Sequence, residues 1–402
     1  MSPPAAAGDT AYDLWGSRLS PFVLKVAAMC AHVGVRCRRL PAEGGLRDNL
    51  RADARCRRLR AGKLELTWPP MSELDELPLV PFLFGPRGEN LYDSSAIAGW
   101  LDRHHECDRG ALVPAAAAPR MIARLIDEYF DEFGLYMVHH NRWVLSAATN
   151  DAGRRLAGEF ATMIVPPLRP LMAAWFSARQ VRRLPYLFSV APAGFAVAGV
   201  ARRRQPPSPM GFPETHGLLD DAFLRMLAAM EEALGDQPYL LGSRFTVADA
   251  SAYGQLAMNT QDRSADGLIA ARAPRTHAWV MRIASGDNDG AGGDAGLVVG
   301  ARLEPLLAEI ARTFVPLMRQ NESAYAKLRA GGQGRFNEKA FDRGEALYDG
   351  ELDGRPFRSV AKTFQVAVWR RLKDEWRALD DGARAACSKR LNSRMVCDLD
   401  AP

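Results

Sequence analysis

The stretch "YDLWGSRLSPFVLKVAAMCAHVGVRCRRL", residues 12–40, decides the fold. "YDLWGS" (12–17) reads as a short strand closing in a turn. From Pro21 to Val33 the apolar positions Phe22, Val23, Val26, Cys30 and Val33 recur at helical spacing. Pro21 suits the first helical turn, where its missing N–H costs nothing, and Gly34 is a natural stop. "VRCRRL" (35–40) sets Val35 and Cys37 among arginines and reads as a second strand. The chain opens β-α-β.

Outward from this unit, residues 43–77 are polar and irregular, with a helix expected around 46–60. In "PLVPFLFGPRGENLYDSSAIAGWLDRHH" (78–105), "PFLF" and "ENLY" read as two short strands joined by the turn "GPRG". The helix after them is expected to start at a serine cap and to pack Ile97, Trp100 and Leu101 on one face. From about 112 the pattern is helical. "RMIARLIDEYFDEFGLYMVHHNRW" (120–143) carries an aromatic side, with Tyr129, Phe133, Tyr136 and His140 at i, i+4, i+7 and i+11. Further helices are expected over 151–180, within 217–234 and after the loop that begins at Gly235. "GDNDGAGGDAG" (286–296) reads as a linker. It lacks an EF-hand's ligands, since Ala291 and Val298 stand at the fifth and twelfth positions. Helices are expected near 301–330 and 359–390, with "EALYDGELDGRPFRSV" (345–360) as a hairpin between them.

With 402 residues, 48% hydrophobic and 25% charged, the composition is that of a soluble globular protein of two or three domains. The net charge is +5, and only seven of the 52 basic residues are lysines. No block of like charge is long enough for a nucleic-acid-binding arm, so no nucleic-acid partner is expected. The six cysteines are scattered with no CxxC, which implies reduced thiols and a cytoplasmic location. The amino terminus shows no secretory signal. "LPYLFSVAPAGFAVAGVA" (184–201) approaches the spanning threshold of about 18 apolar residues. Pro185 and Pro192 inside it favour a partly buried loop or broken helix, so no membrane partner is expected.

Four segments together resemble the cytosolic glutathione S-transferase superfamily. "LWGSRLSPFVLKVAAMCAHVGV" is similar to the serine-dependent, tau- or theta-like pattern. "LVPFL" stands in the place of the family's cis-proline segment, and "LYDSSAIAGWLD" resembles its acid–serine helix start. "YLLGSRFTVADASAYG" is similar to the hallmark of its helical domain. The fold implied is an α/β thioredoxin-like domain over 10–105, followed by an all-α domain over 112–285. A mostly helical extension over 297–402 has no counterpart in the pattern.

The resemblance also implies a site. Ser20, by its place in "SPF", matches the catalytic serine, with Ser17 as the alternative. A hydroxyl donating to glutathione's sulfur at a helix N-terminus favours the thiolate. Read as local sequence, Ser20 is equally an N-cap. Val80 and Pro81, with a cis bond implied, would pair with the extended tripeptide. Asp93 and Ser94 would hold the γ-glutamyl end; as plain sequence they are a capping pair. Tyr129, Phe133, Tyr136 and His140 would line the electrophile pocket, although such a stripe also suits a core. Thr246 and Asp249 in "TVAD" form a structural capping box. Metal is not expected, because adjacent histidines do not face one another on a helix.

Two departures stand out. Leu79 occupies the place where many serine-type members carry a cation for the glycyl carboxylate, which leaves Arg18 or an arginine of 43–77 as substitute. Lys25 stands where arginine is usual. The function implied is glutathione S-transferase activity on a small apolar electrophile, a detoxification chemistry, in a possible homodimer. The alternative is a non-catalytic binding or scaffold protein of the same fold. A glutathione-dependent reductase is disfavoured, because no cysteine stands at the helix start.

Overall fold

Alternation along four short strands builds the first layer. The computed structural model describes residues 11–76, 80–188, 196–197, 200–202, 205, 213–288, 290 and 294–401. The strands β1 (Ala11–Trp15), β2 (Arg36–Leu40), β3 (Phe82–Phe84) and β4 (Asn90–Tyr92) form a sheet of order β2-β1-β3-β4. β1 pairs with β2 in parallel, while β3 runs antiparallel to both β1 and β4. Leu14, Leu83 and Leu91 point to one face, into a cluster with Val23, Val26, Ile97 and Leu101. Those residues belong to α1 (Pro21–His32) and α3 (Ser94–His104). Phe82 and Phe84 point to the other face, against Ala52, Cys56 and Leu59 of α2 (Leu46–Arg60). The period of two thus gives a sheet with helices on both sides, the thioredoxin-like arrangement expected for this part of the chain.

Val80–Pro81 is cis, as are Leu40–Pro41 and Trp68–Pro69. One local reading is corrected. The cap of α3 is Asp93 rather than a serine: its carboxylate accepts from the N–H groups of Ser95 (2.9 Å) and Ala96 (3.0 Å).

The helical region begins with α4 (Ala117–Tyr129), a π turn (Phe130–Gly134), α5 (Leu135–His140) and a second π turn (Asn141–Leu145). The expected helix over 151–180 is two: α6 (Ala152–Glu159) and α7 (Arg169–Arg182), joined through a 3₁₀ turn at Pro166–Leu168. Two successive prolines interrupt it, since a proline inside a helix removes a hydrogen bond and clashes with the preceding turn. The short helix α8 (Leu184–Leu187) follows, and most of 189–201 lies outside the described residues. Then come α9 (His216–Leu234), α10 (Val247–Asn259), α11 (Arg263–Arg272) and α12 (Pro274–Ala284). The capping box at the start of α10 is formed, and the Asp249 carboxylate accepts from Thr246 N–H (2.9 Å) and Leu240 N–H (2.8 Å).

Residues 304–400 add α13 (Glu304–Arg312), α14 (Phe314–Ala330), α15 (Glu338–Phe341), the hairpin β5 (Leu347–Leu352) and β6 (Arg355–Val360), α16 (Thr363–Arg377), α17 (Asp381–Ser388) and α18 (Ser393–Asp400). One apolar core runs from Tyr12 through the helical region to Trp369, Trp376 and Leu399. In the stretch expected as a linker, Asp294 pairs with Arg244 at 2.5 Å and accepts from Ala116 N–H at 2.8 Å.

α1 and α10 cross so closely that a Cβ at Gly254 would sit 2.4 Å from the Pro21 carbonyl oxygen. Beside this crossing lies a buried ion cluster. Lys25, 1% exposed, donates to Asp127 (2.6 Å), Asp131 (2.6 Å) and the Ser95 hydroxyl (2.8 Å). Ser251 of α10 donates to the other Asp131 oxygen at 2.7 Å, and Arg124 pairs with Asp127 (2.9 Å) and Glu128 (2.8 Å). The two carboxylates outweigh the desolvation of the ammonium and hold the Lys25 pKa above its usual value.

Removing one member of such a cluster leaves buried charge uncompensated. Lys25→Met is expected to lower the unfolding free energy by about 3–5 kcal/mol, read by urea titration. A loss under about 1 kcal/mol, the scale of an exposed pair, would show that the cluster does not hold these elements together.

Candidate functional site

The β1–α1 loop is pressed against the residue that precedes Pro81. A Cβ on Gly16 would lie 2.3 Å from Val23 Cγ2 and 3.2 Å from the Val80 side chain, so only glycine fits there. The loop closes with Ser20 N–H donating to the Ser17 carbonyl at 2.9 Å. Ser20 is the N-cap of α1 and is half-buried, yet its side chain makes no capping hydrogen bond. Its hydroxyl therefore stands at the positive end of α1 without the duty that an ordinary cap performs. Ser17 differs: its Oγ accepts from Leu19 N–H at 3.1 Å.

Glu159, at the end of α6, reaches this loop from the helical region. Its carboxylate accepts from Arg18 N–H at 3.1 Å, beside Ser17. Burial raises its pKa, because the charged form loses water there. Phe160 follows and meets the Trp15 ring edge-on at 6.1 Å, while Thr162 accepts from Asn49 Nδ2 at 2.7 Å. The segment after α6 thus lies along the end of the sheet that carries Ser17. Nothing in the local sequence of 152–162 signals this contact, which joins residues about 140 apart.

The tripeptide-binding candidates divide. Asp93 adopts φ 64° and uses one carboxylate oxygen for its two capping bonds. Ser94 is buried and donates to Asp131 at 3.2 Å, so its hydroxyl is turned into the ion cluster. Arg18, considered as a substitute cation, pairs with Glu43 at 2.9 Å. Pro78 and Leu79 lie outside the described residues.

The aromatic side of 120–143 does not line an open pocket. Tyr129 and Phe133 are 0% exposed, Tyr136 3% and His140 1%. Tyr129 meets Phe314 of α14, and Tyr136 stacks on Phe188 at 5.2 Å. The Tyr136 hydroxyl accepts from Lys362 Nζ and Gln365 Nε2, both at 2.8 Å. His140 stacks on His216, and burial lowers its pKa to about 3, so it is neutral. Helices of the carboxy-terminal extension cover the face where an electrophile was expected. Sequence periodicity identified the stripe correctly, but periodicity does not say whether solvent or a distant helix faces it.

That covering creates a second buried polar group the sequence reading missed. Lys362 also donates to the Leu187 carbonyl at 2.7 Å, and burial lowers its pKa to about 7. Gln365 donates to Glu132 at 3.1 Å, and Thr363 donates to Glu76 at 3.4 Å. Among the described residues no group of three His, Cys, Asp or Glu is placed to hold a metal ion. A separate recess of about 450 Å³, lined by Arg51, Arg55 and Arg58 of α2 with Leu64 and Asn90, lies by the β3–β4 turn. It is at the end of the sheet away from Pro81.

Residues 197–282 match the family model for the glutathione S-transferase C-terminal domain. Solved structures show a distant likeness. One is a glutathione S-transferase of Methylobacterium radiotolerans in complex with glutathione sulfonate, 18% identical, covering 70% of this chain and 95% of that one, with TM-score 0.35. Another is a glutathione S-transferase of Rhodospirillum rubrum, 16% identical over 74% and 91%, with TM-score 0.38. A third is a beta-etherase of Sphingobium, 17% identical over 68% and 94%, with TM-score 0.39. No curated protein matches the chain. The family-model match thus covers the segment that runs from before α9 to α12, within the helical region, and the likeness to the solved structures is one of fold.

Glu132 allows a test of the buried group. Burial, with Glu128 and Asp131 nearby, pushes its carboxyl up to about 8, against the opposing pull of Lys362 and Gln365. Folded protein then holds a proton that the unfolded chain releases near 4.5, so stability falls as pH rises between those values. Glu132→Gln should match the wild type near the lower end and exceed it increasingly toward the upper end, in thermal melts across the window. A melting-temperature difference that stays flat would contradict this.

Proposed function

We propose that the protein binds glutathione and activates its thiol for attack on a small apolar electrophile. The observation that carries this reading is the Ser20 hydroxyl, uncommitted to capping at the N-terminus of α1, on a loop packed against Val80. The Val80 backbone next to Pro81 would pair with the extended tripeptide, and Asp93, at the head of α3, would accept from its γ-glutamyl ammonium. Ser94 would serve through its backbone at the helix start rather than through its hydroxyl, which Asp131 engages.

In this mechanism the thiol proton passes to solvent and the Ser20 O–H donates to the sulfur anion. The sulfur then forms its bond to carbon as the leaving group departs, or adds to an activated double bond. Lowering the thiol pKa by about two units makes thiolate the majority form near neutrality and corresponds to about 2.7 kcal/mol. Glu159 opposes this when ionised, because a like charge beside the sulfur disfavours the anion. The electrophile would approach the Ser20 side of the loop, since the aromatic face of α4 and α5 is covered.

That same covering favours a second reading, a binding protein of the transferase fold without conjugating activity. One variant separates the two. Ser20→Ala should leave the calorimetric affinity for glutathione within a few-fold and lower kcat/KM for a chlorinated nitrobenzene by about a hundredfold. Full activity in Ser20→Ala with loss in Ser17→Ala would move the role to Ser17. Glutathione binding with no turnover in the wild type would leave the binding reading.

A further inference from the structure

α7 carries two faces of opposite character. Ala173, Phe176, Ser177, Gln180 and Val181 recur at i, i+3, i+4, i+7 and i+8 and turn toward the molecule. Phe176 packs on Trp143, Gln180 meets His139 at 3.2 Å, and Val181 is buried. Leu168, Leu171 and Trp175 follow the opposite line, and Arg179 and Arg182 continue it. Leu168 is 51% exposed, Leu171 66% and Trp175 55%, with Val165 at 58% just ahead of them. Large apolar side chains contiguous on a surface mark a contact site.

The helix itself carries charge of one sign, with Arg169, Arg179 and Arg182 and no acidic residue. The sequence has no acidic residue between Glu159 and Glu214, while seven arginines fall in that interval. The whole chain has a net charge of only +5. Arg183 pairs with Glu338, but no carboxylate pairs with Arg179 or Arg182 among the described residues. The Arg179 guanidinium instead lies 5.8 Å from the Trp175 ring centre.

We infer that α7 docks on an anionic lipid surface, lying in the plane of the interface with Leu168, Leu171 and Trp175 inserted. The chemistry is that of an interfacial helix: tryptophan and leucine on one line, arginine beside them, and no carboxylate on the helix itself to repel lipid phosphates. A neutral protein partner would satisfy the apolar stripe but would leave the acid-free run without a counterpart. Among the described residues no helix is long and apolar enough to cross a membrane, and a helix that lies on the surface does not need to be. The inference is independent of the chemistry at Ser20.

The test pellets the full-length protein with vesicles of phosphatidylcholine, alone or mixed with phosphatidylglycerol. Binding to the mixed vesicles should exceed binding to the neutral ones by about tenfold or more and weaken with added salt. Leu171→Glu and Trp175→Ser, both at exposed positions, should each reduce it by about tenfold, with thermal melts unchanged. Arg182→Glu should reduce it on mixed vesicles alone. Equal binding to both vesicle types, no binding, or variants that bind as the wild type does would overturn the inference. So would a dimer in sedimentation velocity that Leu171→Glu converts to monomer, since a second copy would then be the occupant.

Discussion

A single ammonium group sets the relation between the sheet and the helices. Lys25 sits one turn along α1 from Ser20, and its three partners come from α3, α4 and the π turn that follows α4. Asp131 in turn accepts from Ser251 of α10. A buried charge is tolerated only where its partners are fixed, so the cluster dictates how these helices meet. The consequence reaches the candidate site. The helix that begins at Ser20 and the helix that begins after Asp93 are joined through Lys25 and Ser95, and Ser94 is drawn inward by the same Asp131. The lysine that departs from the family pattern is the centre of this arrangement.

The carboxy-terminal extension has an equally specific chemical effect. α14 and α16 cover the face of the helical region that carries Tyr129 and Tyr136. Covering apolar rings alone would be a matter of area, but this contact also buries Lys362, Gln365 and Glu132. Each has a partner inside the contact: the lysine and glutamine donate to the tyrosine oxygen, and the glutamine donates to the glutamate. Such a network specifies one docking geometry, because a shift would leave buried polar groups without partners. Space that an open two-domain molecule would offer to a substrate is here part of the core. From the other side, Glu159 and Phe160 approach the Ser17 loop and Trp15. The chemistry proposed for Ser20 would therefore be confined to what remains between these two contacts.

How much of this was legible in the sequence follows from the range of each interaction. The β-α-β opening, the strands at "PFLF" and "ENLY", the hairpin at 345–360 and the Thr246–Asp249 box rest on periodicity and capping within a few residues, and they appear where expected. The Pro166–Pro167 break was visible in the sequence but was outweighed by the helical pattern on either side. Asp93 took the cap from the serine after it because its side chain reaches two amides at once. The site was less legible. Lys362 meets Tyr136 across 226 residues, and Arg18 meets Glu159 across 141, distances at which no local pattern operates. The exposed line of α7 was hidden for a different reason, since the eye is drawn to the longer apolar run that follows it.

The central claim is that glutathione, once bound, becomes an anion beside Ser20, and the ultraviolet absorbance of its thiolate reports this directly. Titrated against pH in complex with the protein, the bound thiol should ionise about two units below the free thiol's value near 8.5. A bound thiol that titrates at the free value would contradict the account, and so would a protein that does not bind glutathione at all.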